Sequence, residues 1–142
     1  MSGLLERREI DRVVAMALEE DAPFGDLTSH VFLPEEAMAT ADLVAREPGV
    51  LSGIEVFEAA MVALDSRVVV TRHAADGDSF ELGARLASVT GPARAVLQSE
   101  RVGLNLTQRM TGIATMTAQY VAAVAGTAAR VVDTRKTTPG LR

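Results

Sequence analysis

Residues 133–140 carry the densest group of chemically active side chains in this 142-residue sequence. Within five positions they supply one arginine, one lysine and three threonines, and a Pro-Gly pair that favours a turn follows at once. An arginine binds a carboxylate or phosphate through two parallel hydrogen bonds, whereas a lysine acts as a compact positive charge. The segment predicts a site for a small anion that uses Thr134, Arg135 and Lys136. An exposed charged turn is the equally simple explanation.

The secondary structure expected before residues 133–140 favours an anion-binding site over an exposed turn. Residues 130–134 are rich in β-branched side chains and follow a long helical stretch and a short glycine-containing loop, which is how an α/β unit begins. Active-site groups of α/β folds lie at the carboxyl ends of their strands. We therefore expect a strand at 130–134 whose end presents the cationic loop. Of the 14 basic residues in the sequence only one, Lys136, is a lysine.

A second candidate group lies on the long helical stretch. Arg101 shares a stripe with Asn105 and Gln108, because residues three and four apart lie on one face of a helix. Such a stripe could bind an anion, but a solvated helix face is the simpler explanation. Arg109 competes with Arg101 for the same role, and spacing alone does not choose between them.

The composition excludes several classes of protein. The net charge of −5 argues against binding to nucleic acid or to an anionic membrane, both of which need a basic surface. No apolar run approaches the roughly 20 residues that span a bilayer. The absence of cysteine removes disulfides and thiolate chemistry and suits a reducing compartment, so we expect a cytoplasmic protein. Two histidines, His30 and His73, are too few and too far apart in sequence to predict a metal centre.

Hydrophobic spacing predicts a mixture of helices and strands. Helices are expected at residues 6–20, 55–64 and about 93–124, the last with one break or bend. Ser99 is expected to cap a helix start, and Gly103 and Gly112 to mark a close backbone approach or a bend. Strands are expected at residues 39–45, 67–71 and 85–91, and a loop at residues 24–29.

Five blocks of the sequence resemble one enzyme family. These blocks are residues 20–29, 46–53, 100–106, 110–115 and 133–142. In order and separation they are similar to the quinolinate phosphoribosyltransferases, also called carboxylating nicotinate-nucleotide pyrophosphorylases. That family transfers phosphoribose from phosphoribosyl pyrophosphate to the nitrogen of quinolinate and releases carbon dioxide, which yields nicotinate mononucleotide for NAD synthesis.

The resemblance implies an α+β fold. An N-terminal α/β sandwich domain with long helices would occupy residues 1–112, and residues 113–142 would begin an α/β barrel, of which only the first strand is present. The resemblance also implies a homodimer in which the N-terminal domain of one subunit closes the barrel site of the other. Magnesium would enter with phosphoribosyl pyrophosphate, on ligands mostly outside this chain.

The resemblance also assigns roles to residues. Arg101 matches an arginine that binds substrate across the dimer interface. Thr134, Arg135 and Lys136 match the strand end and loop that contact quinolinate, and Lys136 matches a catalytic residue. Since most of the barrel is missing, we expect the chain to be inactive alone. The alternatives are a related phosphoribosyltransferase for another ring acid, such as nicotinate, and a non-catalytic dimerisation module.

Overall fold

The structure is a computed structural model, and it describes residues 6–140. Two helices, two strands, a third helix, three strands and a fourth helix follow one another within this range. The helices are α1 (Arg7–Asp21), α2 (Leu27–Phe32), α3 (Ile54–Val62) and α4 (Ala93–Ala123). The strands are β1 (Met38–Val44), β2 (Gly49–Val50), β3 (Val69–Arg72), β4 (Ser79–Phe80) and β5 (Arg85–Pro92).

A three-stranded antiparallel sheet forms one side of the fold, in the order β1-β5-β3. On the central strand β5, Ala87 and Val89 are buried, and the residue between them, Ser88, is half-buried on the opposite face. The outer face is polar: the hydroxyls of the paired residues Thr40 and Thr90 lie 3.2 Å apart. One face of the sheet therefore packs on the core and the other meets solvent. A second, two-stranded sheet pairs β2 with β4.

Helix α3 lies between two hydrophobic clusters. Phe57 and Met61 belong to a cluster with the inner face of the sheet. Val56 and Ala60 belong to a second cluster with α1, to which α1 contributes Ile10, Val14 and Leu18. α3 is therefore buried on the two sides that meet these clusters, while Glu55 is exposed and Glu58 is half-buried. Helix α4 contributes to both clusters. The helices α3 and α4 therefore form a middle layer, with the sheet on one side and α1 on the other.

The mixed α and β architecture expected from the sequence is confirmed. Each predicted helix and strand has a counterpart whose ends differ by at most two residues from the expected bounds, which were 6–20, 55–64 and 93–124 for the helices and 39–45, 67–71 and 85–91 for the strands. In residues 6–140, no helix is both long enough and apolar enough to cross a membrane.

Two local predictions near the helix ends are wrong. Residues 27–29 form the start of α2 instead of a loop, because the Asp26 carboxylate caps the helix at the backbone N–H groups of Thr28 and Ser29. Ser99 does not cap a helix start. It lies fully buried inside α4, and its hydroxyl donates to the carbonyl of Ala95 at 2.6 Å. A serine inside a helix satisfies its hydroxyl in this way when no water is available.

Helix α4 is continuous from Ala93 to Ala123, so the break that was one of the two expected features does not occur. Gly103 confirms the close approach: a Cβ there would lie 3.2 Å from the ring of Phe57. Gly112 does not, because a Cβ at that position would meet no atom within 4 Å. The two glycines, which looked alike in the sequence, therefore have different environments.

The predicted strand at residues 130–134 is wrong. The segment is exposed and has no regular secondary structure. A strand is held by hydrogen bonds to a neighbouring strand, and a barrel strand has a neighbour at each edge. No strand within residues 6–140 pairs with this segment, so its β-branched composition has no ladder to join.

Candidate functional site

Arg101 binds a carboxylate from another helix. Its Nε lies 3.2 Å and 3.1 Å from the two carboxylate oxygens of Asp21, and its Nη2 lies 2.9 Å from Oδ2. The Arg101 side chain is 54% exposed and that of Asp21 is 26% exposed. Arg101 on α4 is thus held from one side and open to solvent on another.

Helix α1 brings Asp21 to this position as its last residue. A carboxylate at a helix C-terminus is unfavourable, because the helix dipole is negative at that end. Residues 19 and 20 are also acidic, and the last turn of α1 contains no basic residue. Arg101 supplies the missing positive charge, and the bond to Asp21 raises the pKa of the Arg101 guanidinium above its ordinary value.

A second carboxylate, Asp26, lies within the electrostatic reach of Arg101. Asp26 caps α2, and it accepts a 2.6 Å hydrogen bond from the hydroxyl of Ser29. The Ser29 hydroxyl is the main cause that lowers the pKa of Asp26, although partial desolvation opposes it; the positive charge of Arg101 adds to the lowering. The sequence block at residues 20–29 therefore presents two carboxylates to Arg101.

The second predicted group lies beyond α4. Thr134, Arg135 and Lys136 are exposed, and the Lys136 backbone N–H donates to the Thr134 hydroxyl at 3.2 Å. This is a hydroxyl turn of the kind that threonine favours. At the end of the segment, the carbonyl of Gly140 accepts from Nη2 of Arg12 at 3.2 Å. The cationic loop is therefore followed by a contact with α1.

The predicted residues occupy two positions in the structure. Arg101 is in the first third of α4, and the part of α4 that follows it rises about 33 Å at 1.5 Å per residue. Thr134 and Lys136 come after that rise, in the irregular segment. Within residues 6–140, the two best-formed grooves border α4, and neither is lined by Arg101 or by residues 134–136.

One of these grooves has a volume of about 430 Å³ and lies between α4 and the connection from β1 to β2. Gln108, Thr111 and Thr115 from α4 line it together with Arg46 and Glu47. The other groove, of about 720 Å³, is open and runs along the second half of α4. Its lining is mostly apolar and includes Met110, Ile113, Ala118 and Val121.

A row of three threonines on α4 was missed by sequence reasoning. The Thr115 hydroxyl accepts from the backbone N–H of Val50 at 2.9 Å, and the Thr107 hydroxyl donates to the carbonyl of Gly53 at 3.2 Å. Between them, Thr111 bonds to the backbone of residue 52. The signal was the spacing 107, 111 and 115, which places three hydroxyls on one helix face.

Asp76 lies in the turn between β3 and β4. In the structure its two carboxylate oxygens accept from the backbone N–H groups of Gly53 and Ile54, both at 2.9 Å. Gly53 has a φ of +93°, a conformation that residues with a side chain rarely adopt. Asp76 thus caps the start of α3 from a distant loop.

The chain matches two family models. The model described as quinolinate phosphoribosyl transferase, N-terminal domain, matches residues 26–111, and the model of the C-terminal domain matches residues 113–142. The border between the two matches falls inside α4.

Two similar proteins are named as carboxylating nicotinate-nucleotide pyrophosphorylases. A probable nicotinate-nucleotide pyrophosphorylase (carboxylating) of Bacillus subtilis is 42% identical over 123 residues, which cover 87% of this chain and 42% of the relative. The nicotinate-nucleotide pyrophosphorylase (carboxylating) of Mycobacterium leprae is 41% identical over 135 residues, which cover 91% of this chain and 46% of the relative. The chain spans less than half the length of these two relatives.

Solved structures share the fold. NadC from Streptococcus pyogenes superposes with a TM-score of 0.93 at 37% identity, over 99% of this chain and 50% of that one. The nicotinate-nucleotide pyrophosphorylase from Francisella tularensis superposes with a TM-score of 0.89 at 30% identity, over 96% of this chain and 48% of that one.

Proposed function

This chain belongs to the quinolinate phosphoribosyltransferase family, and on that premise we propose that it serves the carboxylating nicotinate-nucleotide pyrophosphorylase reaction. The ring nitrogen of quinolinate would attack the anomeric carbon of phosphoribosyl pyrophosphate, and pyrophosphate would leave. Loss of the 2-carboxylate as carbon dioxide and protonation of that ring carbon would give nicotinate mononucleotide.

One observation carries this proposal: consecutive segments of the chain match the two domain models of the family in order, at 26–111 and 113–142. The Bacillus subtilis and Mycobacterium leprae relatives are named for the carboxylating reaction. The TM-score of 0.93 supports the same assignment at the level of the fold. The substrate pair is inferred from these relatives.

The cationic side chains suit quinolinate, a planar molecule with two adjacent carboxylates. Two guanidinium groups that each bind one carboxylate would fix the plane and direction of the ring. We assign Arg101 and Arg135 to this role, with Thr134 beside Arg135. Lys136 would supply positive charge where pyrophosphate departs and where charge develops on the ring carbon during decarboxylation.

The homodimer is part of the proposal, since Arg101 would act in the site of the partner subunit. Around α2 a group of large apolar side chains is exposed: Phe24 is 90%, Leu27 71%, Val31 75% and Phe32 78% exposed. A large apolar patch on a surface marks a site of association. A partner subunit that covers α2 would bury this patch, which lies in and next to the 20–29 block whose Asp21 binds Arg101.

Magnesium belongs to the proposal only through phosphoribosyl pyrophosphate. Within residues 6–140, no group of three or more histidine, aspartate or glutamate side chains is placed to hold a metal ion. Magnesium would therefore be held by the pyrophosphate of the substrate and by ligands outside these residues. The cytoplasmic location is also proposed, from the absence of cysteine.

The test is an assay of the protein at its full natural length. We expect phosphoribosyl pyrophosphate to drive release of labelled carbon dioxide from quinolinate labelled in its 2-carboxylate, and Arg135→Ala to abolish that release. Conversion of nicotinate without release of carbon dioxide would instead identify a phosphoribosyltransferase for another ring acid. A folded dimer that converts neither acid would indicate a non-catalytic module.

A further inference from the structure

We infer that Asp21 is a positioning residue for substrate binding: it fixes the guanidinium of Arg101 in the direction needed to take a substrate carboxylate. The inference rests on the proposed function and adds a residue to it. Asp21 would touch no substrate. It would act through Arg101, whose orientation it determines.

The geometry of the pair leaves one edge of the guanidinium available. Asp21 uses the N–H groups of Nε and Nη2, which form one edge of the planar fork. A guanidinium has five N–H groups, so the edge formed by Nη1 and the second N–H of Nη2 is left to bind another carboxylate in two parallel bonds. Arg101 is 54% exposed, which keeps it accessible to a ligand. One carboxylate can therefore hold the arginine while a second one binds to it.

Preorganisation is the physical gain. A free arginine side chain at the surface samples many rotamers, and a ligand that binds it must order them. Asp21 bonds to Arg101 with three contacts of 2.9–3.2 Å and is itself fixed as the last residue of α1. The conformational entropy of the Arg101 side chain is therefore lost when the protein folds instead of when the substrate binds. Loss of Asp21 would then weaken substrate binding more than it slows the chemical steps.

Two other ion pairs of α1 show why the Asp21 pair is different. On the same helix, Arg7 pairs with Asp11 at 2.8 Å and Arg12 with Glu9 at 3.1 Å. Both pairs join neighbouring turns of α1 and are solvated, the usual situation of an exposed pair with little energetic effect. The Asp21 pair instead connects residues 80 positions apart on two helices. Asp11→Asn is therefore a matched control that removes a carboxylate of α1 without touching Arg101.

The experiment uses the full-length enzyme with quinolinate and phosphoribosyl pyrophosphate as the varied substrates. Asp21→Asn should raise KM for quinolinate about tenfold with a smaller change in kcat, because interaction lost equally from the ground state and the transition state appears in KM. Asp21→Glu, which restores the charge, should recover part of the loss. KM for phosphoribosyl pyrophosphate should change less than KM for quinolinate.

Two controls separate positioning from a purely structural role. Asp11→Asn should leave both KM values unchanged. Val14→Ala, which removes two methyl groups from the buried face of α1, should lower the melting temperature without raising KM for quinolinate.

Three outcomes would overturn the inference. If Asp21→Asn lowers only the melting temperature, Asp21 merely ties α1 to α4. A fall in KM for quinolinate would show that Asp21 competes with the substrate. An enzyme that is active but indifferent to Asp21→Asn refutes the inference alone, whereas a wild-type protein with no activity on quinolinate refutes the proposed function as well.

Discussion

Thr111 and Ser52 exchange two hydrogen bonds through a single hydroxyl. The Thr111 hydroxyl accepts from the backbone N–H of Ser52 at 3.2 Å and donates to the backbone carbonyl of the same residue at 3.0 Å. A hydroxyl can do both at once because it has one proton and two lone pairs. Both backbone groups of Ser52 are satisfied by one side chain of α4, in a segment that belongs to no strand.

Thr111→Val should therefore destabilise the fold. Valine keeps the shape of threonine but leaves both Ser52 groups without their partner, at a cost of about 1–3 kcal/mol in the free energy of unfolding. Urea unfolding followed by circular dichroism measures the change. Thr117→Val is the matched control, because the exposed Thr117 hydroxyl bonds only within α4, to the carbonyl of Ile113. An equal loss from both variants would contradict the tertiary role of Thr111.

The two glycines inside α4 should respond in opposite directions to alanine. Gly103→Ala places a methyl group 3.2 Å from the Phe57 ring and 3.5 Å from Met61 Sδ, so crowding of about 1–3 kcal/mol outweighs the gain in helix propensity. Gly112→Ala meets no atom within 4 Å and should stabilise the chain by about 0.5–1 kcal/mol. Melting temperatures of the two variants test the contrast. Destabilisation by Gly112→Ala would mean that a further element packs on that face.

The pKa of Asp26 should respond to its hydrogen-bond partner. Ser29→Ala removes the largest cause that lowers this pKa, so the pKa should rise towards its ordinary value of 3.8. Because a carboxyl with a lowered pKa stabilises the fold above its unfolded pKa, that stability is lost as the pH falls through the folded value. The variant should lose less stability on acidification than the wild type. Carboxyl NMR titration of both proteins measures the shift; an unchanged pKa would show that another group controls it.

The sequence predicted what local patterns determine. Ile10, Val14 and Leu18 recur at helical spacing, and all three form the buried face of α1. Local patterns could not predict the pairing of Asp21 with Arg101. The two residues are 80 positions apart, and only the packing of α1 against α4 brings them together. The same holds for Asp76 at the start of α3.

The errors have physical reasons of the same kind. Serine is a residue type that often caps a helix, but Ser99 lies inside α4. The helix begins earlier, at Ala93, because β5 runs directly into it. Residues 130–134 have the composition of a strand, but strand formation depends on a neighbour that local sequence cannot supply. In both cases the surrounding structure, not the intrinsic propensity of the residues, decides the conformation.

Lys136→Ala should abolish most turnover of the full-length enzyme. As the one lysine of this chain, exposed in the loop after residue 134, it is our candidate for stabilising charge on the leaving pyrophosphate and the ring. Loss of one such group typically lowers kcat by about 100-fold or more. Lys136→Arg keeps the charge and should recover part of the rate. Unchanged kcat in the alanine variant would remove Lys136 from the chemistry.

Subunit mixing tests whether Arg101 and Arg135 serve one site from two chains. Arg101→Ala and Arg135→Ala should each be inactive, while a heterodimer of the two contains one site in which both arginines are intact. With random exchange, half of the dimers are mixed and half of their sites are whole, so about a quarter of wild-type activity should return. Arg109→Ala serves as the control for a neighbouring arginine of α4 and should be active alone. If mixed dimers form and no activity returns, the two arginines do not meet across the interface.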